Sequence, residues 1–387
     1  MHKKILFITP SFYNGGTNTA LRNTLPLLKK SGLDVYVFAI TPYGPNMDEI
    51  AKYSTLVGVK GDPSDVASKK NNFVNYAILL VKKLKKLLFK IGIDISPIIF
   101  KKVAHSLDKS DYDIVIAYQE GITTKFTSYF TLTPKIAWVH CDYKAYLEAN
   151  HKKPEKSLYT KFSKIVCVSN YTKSQFDSAL PWMPTYSLHN IVRDDVIIDK
   201  ASETICNEKF INADVTIISI GRLSVVKRFD VIPEIVSKLK EKGIKGIKWY
   251  IIGGNDENQK EVIEKRIKEF NTPEVVLLGE INNPYPYLTK SDIFVSTSIS
   301  EACPYVLNEA KILGVPVVTT NYGSATEFIT NGINGIITPI ENITNSIYDL
   351  ITDQEKYNAI KDNLSQFKYD NSEIGRQLVN EVLSLNN

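Results

Sequence analysis

Two carboxylates stand eight positions apart in the apolar stretch SEACPYVLNEAKILGVPVVTT, residues 300 to 320. Glu301 and Glu309 could form an acid and base pair, ligate a metal, or hold the hydroxyls of a substrate. The stretch predicts a loop and then a helix that begins near Tyr305 and ends at Gly314. Because a helix rises about 1.5 Å per residue, the two groups need not touch, which argues against a proton-sharing pair. Carboxylates that flank a scissile bond remain possible, but amides at a helix start favour an anionic or polyhydroxyl ligand.

A second group of chemically useful residues lies upstream, in ISIGRLSVVKRFD. A strand ends at Gly221, and Arg222, Lys227 and Arg228 follow it. Arginine offers a planar fork of donors to phosphate oxygens, and lysine offers a mobile point charge. These cations could neutralise a diphosphate at the mouth of a strand, or they could belong to a solvated helix start. Both interpretations remain open on this motif alone.

The first half of the chain contributes a glycine loop and a histidine. Gly15 and Gly16, in TPSFYNGGTNTALRN, can close a tight turn before a helix whose first amides would face an anion. The spacing is not the dinucleotide fingerprint, and the lysine of a Walker motif is missing, so a structural turn is an equal alternative. His140, in KIAWVHCDY, lies at the carboxyl end of a strand, where it could be functional or structural.

Strand-length apolar runs alternate with segments of helical spacing along the chain. The runs are KILFIT, DVYVFAI, DIVIAY, KIAWVH, KIVCVS, VTIISIG, IKWYIIG, EVVLLG, DIFVSTS and GVPVVTT. Continuous apolar strands between helices are typical of a parallel sheet buried on both faces, with ligands at the carboxyl ends of its strands. The series restarts at VTIISIG after a polar, irregular linker around residues 190 to 213. The pattern therefore predicts an α/β fold with two doubly wound domains.

Composition limits the classes of protein that remain. The chain has 387 residues, 43% of them hydrophobic and 23% charged, with a net charge of +5 that does not by itself indicate nucleic acid. Its four cysteines are scattered, which fits a reducing cytoplasm rather than a disulfide framework or a metal site. Asp111 and Asp113 could ligate a divalent metal, but they precede a strand at its amino end. No apolar run suggests a signal peptide or a spanning helix.

One basic segment stands apart, AILLVKKLKKLLFKIGIDISPIIFKK, residues 77 to 102, with seven lysines and one acidic residue. At 100° per residue its leucines fall on one face and most of its lysines on the other. Such a helix could lie on an anionic membrane surface, or its leucines could pack on the first domain. The predicted location is the cytoplasm, with attachment to the inner face of the cell membrane left open.

The combination of GRLSVVK and SEACPYVLNEAKILGVPVVTT resembles the retaining glycosyltransferases of family 4, also described as glycosyl transferases group 1. YGSATEFITNGINGIIT continues the resemblance, which covers most of residues 214 to 340. It implies the GT-B fold, with two Rossmann-like domains facing across a cleft. The domains would be an acceptor-binding domain over 1–195, a nucleotide-sugar domain over 196–365, and a C-terminal helix over 366–387 that packs back on the first domain.

The resemblance also implies roles for individual residues. Arg222 and Lys227 would bind the donor diphosphate, Glu309 the ribose, and Glu301 hydroxyls of the donor sugar. Further donor contacts would come from the glycines after the strands and from the helix start, namely Gly221, Gly253, Cys303, Pro304, Tyr305 and Val306. Gly15 and Gly16 would approach the distal phosphate or the acceptor, and His140 would contact the sugar near the reacting carbon. No metal and no cofactor would be needed besides the nucleotide-sugar donor.

The implied activity is transfer of a hexose-type sugar, with retention, from a nucleotide diphosphate sugar, UDP-linked in this prediction. The acceptor would be a saccharide, lipid-linked if the basic segment touches membrane, in bacterial surface polysaccharide synthesis. Two alternatives remain: a GT-B epimerase that acts on a nucleotide sugar, and a non-catalytic subunit that binds one. Neither nucleic acid nor a metal is an expected partner.

Overall fold

The computed structural model describes residues 2–58, 96–211 and 213–384. The chain divides into two compact units, Met1–Ile191 with Asn371–Asn387, and Val192–Asp370. The predicted basic segment of residues 77 to 102 lies outside the described residues up to position 95. None of the helices in the described part of the chain combines the length and hydrophobicity that crossing a membrane requires.

The first unit is built on a seven-stranded parallel sheet with the strand order β3-β2-β1-β4-β5-β6-β7. Its strands are β1 (Lys4–Ser11), β2 (Asp34–Thr41), β3 (Thr55–Val57), β4 (Ile114–Ala117), β5 (Lys135–Val139), β6 (Lys164–Cys167) and β7 (Thr185–Ser187). Its helices up to β7 are α1 (Gly16–Lys30), α2 (Met47–Ala51), α3 (Ser96–Leu107), α4 (Ile122–Thr127), α5 (Tyr143–Ala149), α6 (Lys156–Tyr159) and α7 (Asn170–Ala179). Buried apolar side chains fill both faces of the sheet, with Leu6, Val115 and Ile165 on one face and Phe7, Ile116 and Val166 on the other, as a parallel sheet requires.

The second unit repeats the same strand order in a six-stranded parallel sheet, β10-β9-β8-β11-β12-β13. Its strands are β8 (Val215–Ile220), β9 (Ile247–Ile252), β10 (Val275–Gly279), β11 (Ile293–Ser296), β12 (Val317–Thr320) and β13 (Ile336–Thr338). Its α-helices are α8 (Asp194–Ala201), α9 (Ile232–Glu241), α10 (Gln259–Glu269), α11 (Tyr285–Thr289), α12 (Tyr305–Ile312), α13 (Ala325–Phe328), α14 (Ile343–Thr352) and α15 (Gln354–Ser365). Two apolar clusters cover its faces.

The chain ends within the first unit. Helix α16 (Asn371–Gln377) and a wide helical turn, Leu378–Val382, are followed by buried Leu383. The ammonium of Lys3 donates to the main-chain oxygen of Leu383 at 2.6 Å, and that of Lys164 donates to Ser384 at 2.7 Å. The C-terminal segment is therefore attached to the first unit by contacts near β1 and β6.

The predicted α/β class with two doubly wound parallel sheets is confirmed. All ten apolar runs form strands, and the helix expected near Tyr305 begins there, although it ends at Ile312, two residues before Gly314. Gly314 follows with φ of +68°. The expectation of an irregular linker around residues 190 to 213 is wrong in detail, because this segment contains α8. Two aspartates in the first turn favour that helix through its dipole.

Candidate functional site

The best candidate site in the second unit lies where its strand order reverses. Strands β8 and β11 pair directly, whereas β9 continues the sheet beyond β8 and β12 beyond β11. The loops that leave β8 and β11 therefore diverge to opposite sides and open a crevice at their carboxyl ends. The first loop carries Gly221, Arg222 and Lys227, and the second carries Glu301.

Lys227 and Glu301 form an ion pair across these two loops. The Lys227 Nζ lies 2.5 Å from Glu301 Oε1, and the two side chains are 22% and 14% exposed. The Ser298 hydroxyl donates to the same carboxylate oxygen at 2.6 Å, and the Ser324 hydroxyl donates to the main-chain oxygen of Glu301 at 2.7 Å. Because an ammonium carries three N–H donors, Lys227 can hold Glu301 and still donate to an anion.

The β11 loop also holds the backbone that carries Lys227. The Thr297 hydroxyl donates to the main-chain oxygens of Lys227 at 2.7 Å and Arg228 at 3.1 Å. The Ile299 N–H donates to the main-chain oxygen of Val226 at 2.8 Å. The turn Val225–Lys227 is thus fixed against the strand end that precedes Glu301.

Two glycines allow this packing. A Cβ at Gly221 would lie 3.1 Å from Lys227 Cε, so the lysine stem runs directly over this glycine. A Cβ at Gly253 would lie only 1.8 Å from the main-chain oxygen of Gly221, a distance that no side chain can occupy. Close approach of the loops after β8 and β9 therefore requires glycine at Gly253. The predicted contacts of both glycines with a donor stay predictions.

Arg222 is placed differently from Lys227. Its side chain is 73% exposed, and its guanidinium is 3.0 Å from Asp256 Oδ2. Exposed ion pairs contribute little free energy, so this arginine can exchange Asp256 for another anion at small cost. The structure thus brings Lys227 and Glu301 together, and it places Arg222 on the same loop in a separate, solvent-exposed pair.

Glu309 occupies a different environment from Glu301. It lies inside α12 and is buried, and its Oε1 accepts a hydrogen bond from the Tyr285 hydroxyl at 3.1 Å. Burial raises the pKa of Glu309 to about 7, while the Tyr285 hydrogen bond opposes that rise. The two glutamates have different hydrogen-bond partners, Lys227 and Ser298 for one and Tyr285 for the other.

The residues at the start of α12 are Cys303, half-buried, Pro304, Tyr305 and Val306. Pro304 precedes the first helical residue with extended backbone angles. Farther along the helix, Lys311 is buried, donates to the main-chain oxygen of Phe328 at 2.5 Å and lies 4.3 Å from the Phe367 ring centroid. Burial lowers the pKa of Lys311 to about 8. Nothing in the sequence marks this lysine, because apolar neighbours on a helix do not reveal a buried ammonium.

In the first unit, α1 begins at Gly16 directly after the loop that follows β1. Gly15 precedes it with φ of +157°, and a Cβ at either glycine would meet nothing within 4 Å. The Asn18 side chain folds the loop by donating to the main-chain oxygens of Ser11 at 3.0 Å and Tyr13 at 2.6 Å. The helix start is therefore adjacent to open space, as an anion site requires.

His140 follows β5 and is held by its main chain. Its N–H donates to Glu120 Oε2 at 2.9 Å, and its ring lies parallel to Trp138 and edge-on to Tyr118. Burial lowers the pKa of the imidazole to about 3, so the ring is neutral at physiological pH. Glu120 cannot be recognised from the sequence, because its contact with His140 depends on β4 and β5 being neighbours in the sheet.

Comparison with known proteins gives the class of this chain. Residues 202–367 match the family described as "Glycosyl transferases group 1". One relative is N-acetylgalactosamine-N,N'-diacetylbacillosaminyl-diphospho-undecaprenol 4-alpha-N-acetylgalactosaminyltransferase of Campylobacter jejuni, 27% identical over 68% of this chain and 67% of its own length. Another is 2-deoxystreptamine N-acetyl-D-glucosaminyltransferase of Niallia circulans, 25% identical over 38% of each chain.

Solved structures show the same fold at low identity. HepE of Anabaena, in complex with UDP-glucose, has a TM-score of 0.74 at 17% identity, over 99% of this chain and 100% of its own. A glycosyltransferase of Rickettsia africae has a TM-score of 0.68 at 19% identity, over 98% of this chain and 99% of its own. The predicted GT-B fold is confirmed, and so is the predicted enzyme class. The chain carries a glycosyl transferases group 1 domain over residues 202–367, and the protein is a glycosyltransferase.

Proposed function

We propose that the protein is a retaining glycosyltransferase of the family 4 type that moves a hexose-type sugar from a UDP-sugar to a saccharide acceptor. The observation that carries this proposal is the Lys227–Glu301 pair at the reversal of strand order in the second unit, beside the start of α12. A cation and a carboxylate held together there suit the phosphate and the sugar of one donor molecule. HepE, bound to UDP-glucose, supports the choice of nucleotide.

In this proposal the donor is fixed by residues of the second unit. Lys227 and Arg222 bind the diphosphate, and amides from Cys303 to Val306 assist them. Glu301 accepts hydrogen bonds from sugar hydroxyls, and Glu309 accepts them from the ribose. Gly221 and Gly253 remain proposed donor contacts, and their close packing keeps the Lys227 stem at the strand ends. His140, together with Gly15 and Gly16, acts from the first unit on the sugar and the acceptor.

The proposed reaction breaks the bond between the anomeric carbon and the diphosphate oxygen. The electron pair stays on the diphosphate, where Lys227 and Arg222 stabilise the growing charge more than the ground state. The acceptor oxygen bonds to the same face of the anomeric carbon, and its proton passes to the departing phosphate oxygen. This route needs no protein nucleophile, no metal and no further cofactor.

The acceptor is proposed to be a lipid-linked saccharide in bacterial surface polysaccharide synthesis. The support is the Campylobacter jejuni relative, whose name specifies a diphospho-undecaprenol acceptor. We propose accordingly a cytoplasmic enzyme that works at the inner face of the cell membrane. The basic segment of residues 77 to 102 remains the proposed membrane contact, although most of it lies outside the described residues.

Alanine substitution at the two cations tests the donor assignment. We expect Arg222→Ala and Lys227→Ala to lower sugar transfer from UDP-sugars by roughly 100-fold or more, because each removes charge that stabilises the departing diphosphate. The matched control is Lys238→Ala, which removes an exposed lysine paired with Glu234 at 2.8 Å on α9. Transfer is measured by separation of the labelled product, in excess chelator.

Three outcomes would contradict parts of this proposal. Undiminished transfer in both cation variants would remove the diphosphate assignment. A strict requirement for a divalent metal would remove the metal-free route. An epimerised nucleotide sugar formed without acceptor, in place of a transfer product, would identify an epimerase instead.

A further inference from the structure

The first unit has its own reversal of strand order, and a partly buried carboxylate, Glu120, lies beside it. Strands β1 and β4 pair directly, with β2 beyond β1 and β5 beyond β4. The loop after β1 carries Gly15 and Gly16. The loop after β4 carries Glu120, three positions beyond Ala117. Glu120 therefore lies at the part of a doubly wound sheet where ligands are bound.

Glu120 contacts the backbone that presents His140. Its Oε2 accepts the His140 N–H at 2.9 Å, which joins the loop after β4 to the residue that follows β5. The imidazole is fixed separately, with its ring centroid 4.9 Å from that of Tyr118 and 6.4 Å from that of Trp138. The backbone contact and the ring contacts together leave the imidazole little freedom of position.

The cost of burying Glu120 makes this contact informative. Burial raises the pKa of its carboxyl group, and the groups that oppose the rise are the N–H of His140, its own N–H and the Cys141 thiol. Even partial burial of a carboxylate costs free energy unless hydrogen bonds compensate it, and an apolar side chain could fill the same space at lower cost. The presence of a carboxylate at Glu120, despite this cost, is explained if its role is to fix the position of the His140 main chain.

We propose that Glu120 is a positioning residue for glycosyl transfer: it fixes the main chain of His140, and thereby the imidazole that meets the donor sugar. The proposal rests on the function proposed above for His140. It gives Glu120 no contact with substrate and no proton to transfer. Glu120 acts through His140, and this separates it from a carboxylate that only stabilises the fold.

A double-mutant cycle tests this dependence. We expect Glu120→Ala to lower kcat about 10-fold or more with a smaller change in the donor KM. A displaced His140 imidazole weakens binding of the transition state more than binding of the ground state. Glu120→Gln should keep most of the activity, since its amide oxygen can accept the same N–H. In a His140→Ala background, Glu120→Ala should change kcat less than about twofold, because the residue through which it acts is gone.

A matched control comes from another carboxylate that holds backbone in the same unit. Asp108 accepts the N–H groups of Thr131, Leu132 and Thr133 just before β5, at the opposite end of that strand. Asp108→Asn should lower the melting temperature without changing kcat below that temperature. If Glu120→Ala does not fold, Glu120→Asp, whose carboxylate is one methylene shorter, replaces it in the same cycle.

The outcomes separate this inference from the proposed function. Wild-type kcat in Glu120→Ala, or equal effects of the substitution with and without His140, would overturn the positioning role while transfer itself persists. Loss of activity in Glu120→Gln as severe as in Glu120→Ala would also overturn it. Absence of transfer by the wild-type protein from any nucleotide sugar would overturn the proposed function, and the role of Glu120 with it.

Discussion

Glu301 and Glu309 show how two identical side chains in one motif are given different chemistry by their surroundings. Glu301 lies in a loop, partly exposed, with an ammonium and a hydroxyl on one oxygen. Glu309 is buried in a helix with a phenol as its partner. Two carboxylates with such different surroundings are suited to different hydrogen-bonding tasks rather than to sharing one proton.

The pKa of Glu309 predicts a pH dependence of stability. Its folded value of about 7 lies above the ordinary value of 4.5, so the unfolded chain releases this proton at lower pH than the native state does. The free energy of unfolding therefore falls as pH rises from about 4.5 to about 7. Glu309→Gln removes this loss, and we expect it to be about 3 kcal/mol more stable than wild type at pH 8 and nearly equal at pH 4.5.

Denaturant unfolding of the purified protein at several pH values measures this difference. Glu264→Gln, which alters an exposed glutamate 3.7 Å from Lys260 on α10, is the control and should follow the wild-type curve. A gap between Glu309→Gln and wild type that does not widen between pH 4.5 and 8 would contradict the assignment of a raised pKa to Glu309.

Single residues of the site were predictable where spacing carries the signal. The distance along the chain between Glu301 and Glu309, and the cations after Gly221, are visible in the sequence. Partners such as Ser324 and Glu120 are not, because each is brought to its contact by strands that become neighbours only in the sheet. Whether Lys227 reaches Glu301 or a solvent-exposed carboxylate, as Arg222 does, also depends on that tertiary arrangement.

At the level of secondary-structure elements, whether a strand can be recognised in the sequence depends on its position in the sheet. The ten predicted strands have apolar runs because most of them are covered on both faces. The three that were not predicted, β3, β7 and β13, are three residues long and lie at the edges of their sheets. Short edge strands bury less of their surface, so their sequences lack a continuous apolar run.

The contact between the loops after β8 and β9 predicts a backbone clash. Gly253→Ala would place a methyl group 1.8 Å from the Gly221 oxygen, so the two loops must separate. We expect a loss of about 1–3 kcal/mol in the free energy of unfolding, as for other overpacked sites. Because the Lys227 stem lies over Gly221, transfer activity should fall as well.

Thermal unfolding together with a transfer assay measures both effects. Gly16→Ala serves as the control for stability, because a Cβ there has open space and the residue is already the first of a helix. If Gly253→Ala leaves the stability unchanged, the added methyl group does not clash with the Gly221 oxygen, and the loops after β8 and β9 are not packed as closely as described.

At the scale of the whole molecule, the chain builds the same strand order twice and then returns to its first unit. The sequence predicts that both sheets are doubly wound, since apolar runs and helical segments alternate in each series, but the strand order that the two sheets share is given by the structure alone. The attachment of Asn371–Asn387 to the first unit has no comparable signal in the segment NSEIGRQLVNEVLS. Its contacts are main-chain oxygens and a few apolar side chains, whose partners near β1 and β6 are more than two hundred residues away.

Removal of residues 371–387 should therefore destabilise the first unit selectively. The deletion exposes the surface covered by Leu378, Val382 and Leu383, each no more than 2% exposed, and burial of such side chains contributes roughly 5 kcal/mol together. It also removes the acceptors of the Lys3 and Lys164 ammonium groups.

Amide hydrogen exchange measures this selectivity. After the deletion, exchange should become faster in β1 and β6, while β8 and β11, which belong to the second unit's own sheet, should keep their protection. Deletion of residues 385–387 alone is the matched control and should leave both sheets protected. Equal loss of protection in the two sheets, or none in β1, would show that the segment does not support the first unit in particular.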